Sequence, residues 1–248
     1  MPDAGSGAKP YTRSQANFLG RWPIPIRHSL TLGEMGLLLR AEMLLKLELQ
    51  VVPMEGWRRD MLWRDTGLPF RPPSPGIPSP ESALLYPGLA FLEATNVLEG
   101  RGTAFSFRWI GAPWMGEEGG AQALADSLNQ SGASGVRARP HHLDLPGKGE
   151  SCPGVLMDIT DPGQVRPVAL GLRLLSILCT LWPTRFSWTP YPTTVNPSGS
   201  GHLLRLLGRS EVVETLERIP ESLNERTLEG WTAAPGWWSR ASPHLLYA

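Results

Sequence analysis

An excess of either charge is missing from this sequence: Lys plus Arg and Asp plus Glu each number 23, for a formal net charge of zero. With no basic field to neutralise phosphates, nucleic acid is disfavoured as a partner. Cysteine is scarce too. Cys152 and Cys179 are too few and too far apart for a metal cage or a disulfide framework; each reads as a small buried apolar residue, and one bridge between them is all the chain allows. Long hydrophobic runs are also absent. The longest, Val168 to Trp182, is interrupted by Gly171 and Arg173 and is too short to span a bilayer. The N-terminus lacks a charged start followed by an apolar stretch, so no signal peptide is visible. The chain as written is therefore expected to be cytoplasmic, or periplasmic or extracellular if its true start lies upstream of Met1. There is no internal repeat, no phosphate-binding glycine loop and no Gly-x-Ser-x-Gly elbow. His141-His142-Leu143-Asp144 has metal-ligand residue types but no third partner at a useful spacing, and reads as a surface loop. No metal or organic cofactor is expected.

What the sequence does hold is 41% apolar and 19% charged residues over 248 positions, the profile of a globular chain long enough for a full core. Its 25 prolines and 27 glycines imply many ordered turns and long loops. Its 10 tryptophans suit core packing first and sugar stacking second.

Along the chain, residues 1–19 read as a flexible lead. Thr31-Leu-Gly-Glu34 has the form of a capping box, so a helix should run to about Lys46 with Met35, Leu38, Leu39, Met43 and Leu45 on its apolar face. Leu47 to Val52 reads as a buried strand. Asp65 to Pro80 is a Pro-rich, extended loop, and Ser79-Pro80 starts a second helix that Pro87 ends or kinks. Strands are expected over Phe105–Ile110, Val136–Ala138 and Val155–Ile159, with a turn from Gly147 to Pro153. Helices are expected near Ala121–Gln130, Pro167–Leu181, His202–Leu207 and Glu211–Arg218. Phe186 to Tyr191 is hairpin-like, and the loop-rich tail from Trp231 folds back on the body. The pattern is α+β on a mixed sheet with flanking helices. It divides into the lead, a remnant of an α/β half (20–66) and a C-terminal α+β domain (67–248).

The chemistry concentrates between Leu92 and Trp114. Glu93, Thr95, Asn96, Glu99, Arg101 and Thr103 fall within eleven residues, while Gly100, Gly102 and Gly111 forbid regular structure and permit close approach of a ligand. Polar loops on rigid supports are where sites usually lie. A structural loop in which Arg101 pairs with Glu93 or Glu99 accounts for the same residues.

The string Glu93-Ala-Thr-Asn-Val-Leu-Glu-Gly-Arg-Gly-Thr103, followed by Gly111-Ala-Pro-Trp114, resembles the signature of the bacterial exo-β-N-acetylmuramidase family of glycoside hydrolases, long a domain of unknown function. Collinear support comes from Pro25-Ile-Arg-His-Ser-Leu-Thr31, Met54-Glu-Gly-Trp57, Asp65-Thr-Gly-Leu-Pro69, Tyr86-Pro-Gly88, Cys152-Pro-Gly-Val155, Thr160-Asp161, Phe186-Ser-Trp188 and Leu245-Leu-Tyr247. The match runs from about Gly20 to the C-terminus. It departs from the family pattern at Ser29 and Ala94, where glycine is usual, at Arg108, usually acidic, and at Asp158, often histidine.

The resemblance implies release of N-acetylmuramic acid from the non-reducing ends of peptidoglycan fragments, with a muramic acid-containing saccharide as partner. It also implies that most of a Rossmann-like N-terminal half is missing, to be supplied by an extension upstream of Met1 or by a separate chain. The alternative is a non-catalytic muropeptide-binding remnant or partner subunit. Glycosidic cleavage calls for two carboxylates, for which Glu99 and Glu93 are the candidates; Glu99 serves equally as a substrate contact and Glu93 as a structural partner of Arg27 or Arg101. A lactyl carboxylate calls for a bidentate arginine, Arg101 or Arg27. His28 is a proton shuttle, a sugar ligand or a structural histidine. Asn96 and Thr95 suit sugar hydroxyls, the N-acetyl group or turn backbone.

Overall fold

The computed structural model describes residues 19–147 and 151–247; the expected lead falls outside these up to residue 18, as do residues 148–150 of the expected Gly147–Pro153 turn. The main core is built by helix α4 (Pro167–Leu181), whose Val168, Leu172, Leu174, Leu175 and Leu178 are fully buried. Pro167 opens it where a missing N–H costs nothing. Against it lie helix α2 (Pro80–Leu89) and helix α3 (Gly120–Gln130). Helix α2 starts from the Ser79 cap and carries Pro87 inside. Gly88 lets α2 touch α4 directly: a Cβ there would fall 1.7 Å from the carbonyl oxygen of Pro167, and one on Gly171 2.4 Å from that of Gly88. The Tyr-Pro-Gly motif thus marks a helix crossing in which only glycine fits.

A small sheet covers this layer. Strands β1 (Trp109–Gly111), β2 (Val136–Pro140) and β5 (Gly154–Ile159) lie in the order β1-β5-β2, every pairing antiparallel, and β3 (Leu143–Asp144) with β4 (Ser151–Cys152) forms a separate two-stranded ribbon. The α+β class holds, but the expected mixed sheet is corrected to an antiparallel one. The crossover from β1 through α3 to β2 leaves a gap that β5 fills from the opposite direction.

The expected strand over Phe105–Ile110 shrinks to Trp109–Gly111 because Phe105–Arg108 turns: Arg108 and Trp109 both donate their N–H to the Phe105 carbonyl, and Phe107 has φ +57°. Its alternating aromatics follow a turn rather than a pleat. The expected hairpin at 186–191 is only a single bridge from Trp188 to Thr95. Both cysteines are free.

Helix α1 (Leu32–Glu42) has the expected Thr31–Glu34 capping box. Of its expected apolar face only Leu38 is buried, while Met43 and Leu45 are exposed. The Leu47–Val52 stretch is not a strand. Its Leu49 and Val51 rest against Gly36 and Gly33 of α1, but no ladder partner lies beside it among the described residues.

Helix α1 joins a second, smaller core: Leu30 and Leu38 pack with Trp237 and Ala241 from the C-terminal tail. A buried ion pair closes it. Glu34, fully buried, accepts from Arg59 at 2.5 Å and from the Leu246 amide at 2.8 Å. Burial alone would raise the Glu34 pKa, but the bonds from Arg59, Thr31 and Leu246 hold it below the usual carboxylate range. The tail folds back as expected. It does so as helix α7 (Glu225–Thr232), helix α8 (Trp237–Ala241) and a 3-10 turn rather than as loop.

Two departures from the family pattern meet in space. Arg108 lies 3.6 Å from Asp158, which Arg139 also holds at 2.7 Å. A third, Ser29, sits at φ +58°, a left-handed conformation that costs a non-glycine residue free energy.

Candidate active site

From the end of α2 the chain continues as a 3-10 turn, Ala90–Ala94, which holds the largely covered Glu93 between buried Leu92 and Ala94. Thr95 ends the turn: its hydroxyl donates to the Leu92 carbonyl at 2.8 Å and accepts from the Val97 amide at 3.1 Å. Beyond it, Leu98 and Gly111 exchange backbone bonds, anchoring the next loop. Gly100 (φ +69°) and Gly102 (φ +85°) bracket Arg101 and turn it back toward Glu93. Thr103 closes the loop by bonding the Gly100 carbonyl through both its amide and its hydroxyl.

The result is a charge cluster on one guanidinium. Arg101 Nη2 donates to Glu93 at 2.6 Å and its Nε to Glu99 at 2.6 Å. On the other side of Glu93, His202 Nε2 lies at 2.9 Å from Oε2. A carboxylate only accepts, so that ring nitrogen carries the hydrogen. Burial by itself would raise the Glu93 pKa; the hydrogen bonds from His202 and Arg101 overcome it and hold the carboxyl below its usual range. Burial would lower the Arg101 pKa, but Glu99 and Glu93 push it above its ordinary value.

Aromatic rings frame the cluster. Arg101 lies 5.1 Å over the Phe107 ring, which Tyr86 meets edge-on at 5.0 Å. Tyr191 stacks on His202 at 4.6 Å. Burial, reinforced by the negative charge of Glu93, raises both tyrosine pKa values, so both phenols stay protonated as donors. Glu93, Arg101, Tyr86 and Phe107 line a cavity of about 300 Å³ together with Pro73, Ser74 and Gly76. That is the low end of small-ligand pockets. The Arg101 side chain is 44% exposed, so it is not sealed in the interior.

Of the expected site residues, Glu93, Glu99 and Arg101 are brought together. Asn96 and Thr95 are not in the cavity: Asn96 donates to the Arg185 carbonyl and accepts from the Ser187 amide, and Thr95 is spent on its own turn. Both serve the turn-backbone alternative. Arg27 bonds the Val165 carbonyl at 3.3 Å. His28 accepts from the Leu30 amide through Nδ1, its carbonyl takes the Trp237 indole N–H, and burial lowers its pKa. Neither lines the cavity. His202, Tyr191, Tyr86 and Phe107 went unnamed as site residues. The first two lie about a hundred residues from the loop, with no local pattern to tie them to it. Among the described residues, no group of three or more His, Cys, Asp or Glu is placed to hold a metal ion, and no helix is long and apolar enough to cross a membrane.

The model of the C-terminal part of exo-β-N-acetylmuramidase NamZ matches residues 84–247, and that of its N-terminal part matches 5–81. The chain belongs to the NamZ family. It is 33% identical over 204 residues to the peptidoglycan β-N-acetylmuramidase NamZ of Bacillus subtilis (strain 168), covering 81% of this chain and 48% of that relative. It thus spans about half the relative's length. A crystal structure of a DUF1343 family protein from Bacteroides fragilis NCTC 9343 superposes with a TM-score of 0.78 at 26% identity, over 100% of this chain and 65% of that one. A second DUF1343 protein from the same organism shares the fold, with a TM-score of 0.65 at 21% identity, over 99% of this chain and 64% of that one.

Proposed function

We propose that this chain forms the substrate-gripping wall of a glycoside hydrolase of the exo-β-N-acetylmuramidase type, which releases N-acetylmuramic acid from the non-reducing ends of peptidoglycan fragments. The observation that carries the reading is Arg101 at the mouth of a monosaccharide-sized cavity, flanked by Glu93, Tyr86 and Phe107. In this reading the guanidinium receives the lactyl carboxylate bidentately, and the Phe107 and Tyr86 rings form an apolar wall for the sugar. Glu93, kept ionised, stabilises the positive charge that develops at the anomeric carbon. An ionised carboxylate cannot protonate the leaving oxygen, so Glu93 is not the general acid. The small cavity suits an exo mode, in which one terminal sugar enters.

The test is incubation of the chain, or of a longer form of it, with an N-acetylmuramic acid–N-acetylglucosamine disaccharide, with chromatographic detection of the free sugars. Release of N-acetylmuramic acid, lost in Arg101→Ala, is the expected result. A second reading, a non-catalytic muropeptide-binding module, draws on a specific observation: Arg101 binds both Glu93, which lines the cavity, and Glu99, which does not, leaving neither free as a proton donor. It predicts saturable, Arg101-dependent binding of the disaccharide without turnover. Neither release nor binding by the folded chain refutes both.

A further inference from the structure

A second cavity, of about 550 Å³, opens where α4 and helix α6 (Ser210–Arg218) end side by side. One wall is aromatic, with Phe186 and Trp188 edge-to-face at 5.0 Å. The other carries Glu217, Pro220 and Glu221, and Cys179, Thr180, Pro183 and Leu216 complete the lining.

Three features of this groove point the same way. Its aromatic wall is held in place before any ligand arrives. The Phe186 amide bonds the Trp182 carbonyl, the Ser187 amide bonds the Asn96 side chain, and the Thr189 amide bonds the Ala94 carbonyl. These bonds explain why Asn96 is absent from the Arg101 cavity: its side chain braces this wall. Second, the groove's charge is all of one sign. Neither Glu217 nor Glu221 is ion-paired with another described residue, and no Lys or Arg lines the cavity. The nearest cations in sequence are Arg185, which pairs with Glu117, and Arg218, which lies outside the lining. Third, two helix C-termini meet here, and each adds partial negative charge to the same space. The Cys179 thiol, whose pKa burial pushes up to about 12, adds a neutral wall atom and no nucleophile.

An anion is repelled by such a site, and a neutral sugar makes no use of the charge on the two exposed carboxylates. A compact cation on an alkyl stem satisfies every feature at once: the ammonium between the carboxylates and over an aromatic face, the methylenes against Pro183, Pro220 and Leu216. We infer that the groove between the ends of α4 and α6 binds a primary alkylammonium, of the kind carried by the side chain of a diamino acid in a short peptide. This site is separate from the Arg101 cavity and does not rest on the saccharide reading.

The probe is Nα-acetyl-lysine methylamide, compared with Nα-acetyl-norleucine methylamide, which keeps the stem without the ammonium. Binding is followed through the indole N–H resonance of Trp188, identified by its loss in Trp188→Phe. The lysine compound is expected to give saturable shifts that weaken as salt is added, and the norleucine compound none. The exposed double variant Glu217→Gln/Glu221→Gln, with circular dichroism to establish that it is folded, is expected to weaken binding about tenfold. Three results overturn the inference: equal shifts from both compounds, no shift at the highest soluble concentration, or a double variant that binds as well as the parent. Shifts from a neutral disaccharide alone also overturn it and reassign the wall to sugar stacking. None of these outcomes depends on whether the chain cleaves a glycosidic bond.

Discussion

Replacing Glu93 by glutamine separates a stabilising cluster from a loop that merely happens to carry charges. The substitution keeps shape and one acceptor oxygen but removes the charge. Two charge-assisted bonds depend on that charge, from Arg101 at 2.6 Å and His202 at 2.9 Å, on a side chain only 12% exposed. Hydrogen bonds to charged groups contribute about 1.5–3 kcal/mol each. With one acceptor retained and the cost of burying a carboxylate recovered, the expected net loss is about 2 kcal/mol. For a chain of this length, that is a fall in Tm of roughly 4–8 °C. The sign of the pH dependence follows from the direction of the shift. Because the folded pKa lies below the ordinary value of 4.5, the contribution is fully present above that pH and is lost as pH falls through the folded value. Parent and variant should therefore differ by a constant amount at neutral pH and converge in acid. Urea denaturation at several pH values measures this, and a cycle with His202→Ala should show a coupling of about 1 kcal/mol. A loss below about 0.5 kcal/mol at neutral pH is the size of an exposed ion pair and would refute the argument.

Other perturbations test the frame around the site. Gly88→Ala should cost several kcal/mol or abolish folding, because its Cβ would strike the Pro167 carbonyl. Gly230→Ala, within α7 and with open space around it, should instead stabilise by about 0.5–1 kcal/mol. Thermal melts of both decide between close approach and backbone freedom. Ser29→Gly relieves a left-handed serine and should raise stability by about 1 kcal/mol in the same assay. Arg59→Ala leaves Glu34 buried and unpaired at a cost of about 3–5 kcal/mol, and should speed hydrogen exchange at the Leu246 amide, which Glu34 holds.

Elements whose signals are local were legible in the sequence. The Thr31–Glu34 box, the Ser79-Pro80 start and the apolar run from Pro167 each fix a helix within a few neighbouring residues, and all three helices form. Phe105–Arg108 misled because alternation carries no information about hydrogen bonding; the Phe107 amide is claimed by the Glu99 carbonyl, and the chain turns. Leu47–Val52 has strand composition, yet a ladder needs a second chain segment that no local pattern announces. The candidate site divides in the same way. Glu93, Glu99 and Arg101 sit within nine residues and were visible together. His202 and Tyr191 reach Glu93 only because the 3-10 turn that carries it packs against the short helix His202–Leu207.

The cluster also sets a condition on any anionic ligand. Glu93 and Glu99 bring two negative charges to the one positive charge of Arg101, so a ligand carboxylate meets a guanidinium whose charge is already compensated, although its Nη1 hydrogens and one on Nη2 remain to donate. Two of its contacts cannot be treated alike. Glu93 is pinned on its far side by His202, whereas among the described residues Glu99 has a side-chain bond to Arg101 Nε alone. Where the proposed lactyl group takes the Nε–Nη2 edge of the guanidinium, the carboxylate that yields is therefore Glu99, and the ligand replaces it rather than adds to it. On that account Glu99→Gln removes a competitor and should tighten binding of a muramic acid saccharide, while leaving binding of a sugar without the lactyl group unchanged. Isothermal titration with N-acetylmuramic acid and N-acetylglucosamine measures both. Weaker binding of the acidic sugar by this variant would show that Glu99 holds Arg101 in place for the ligand and does not compete with it.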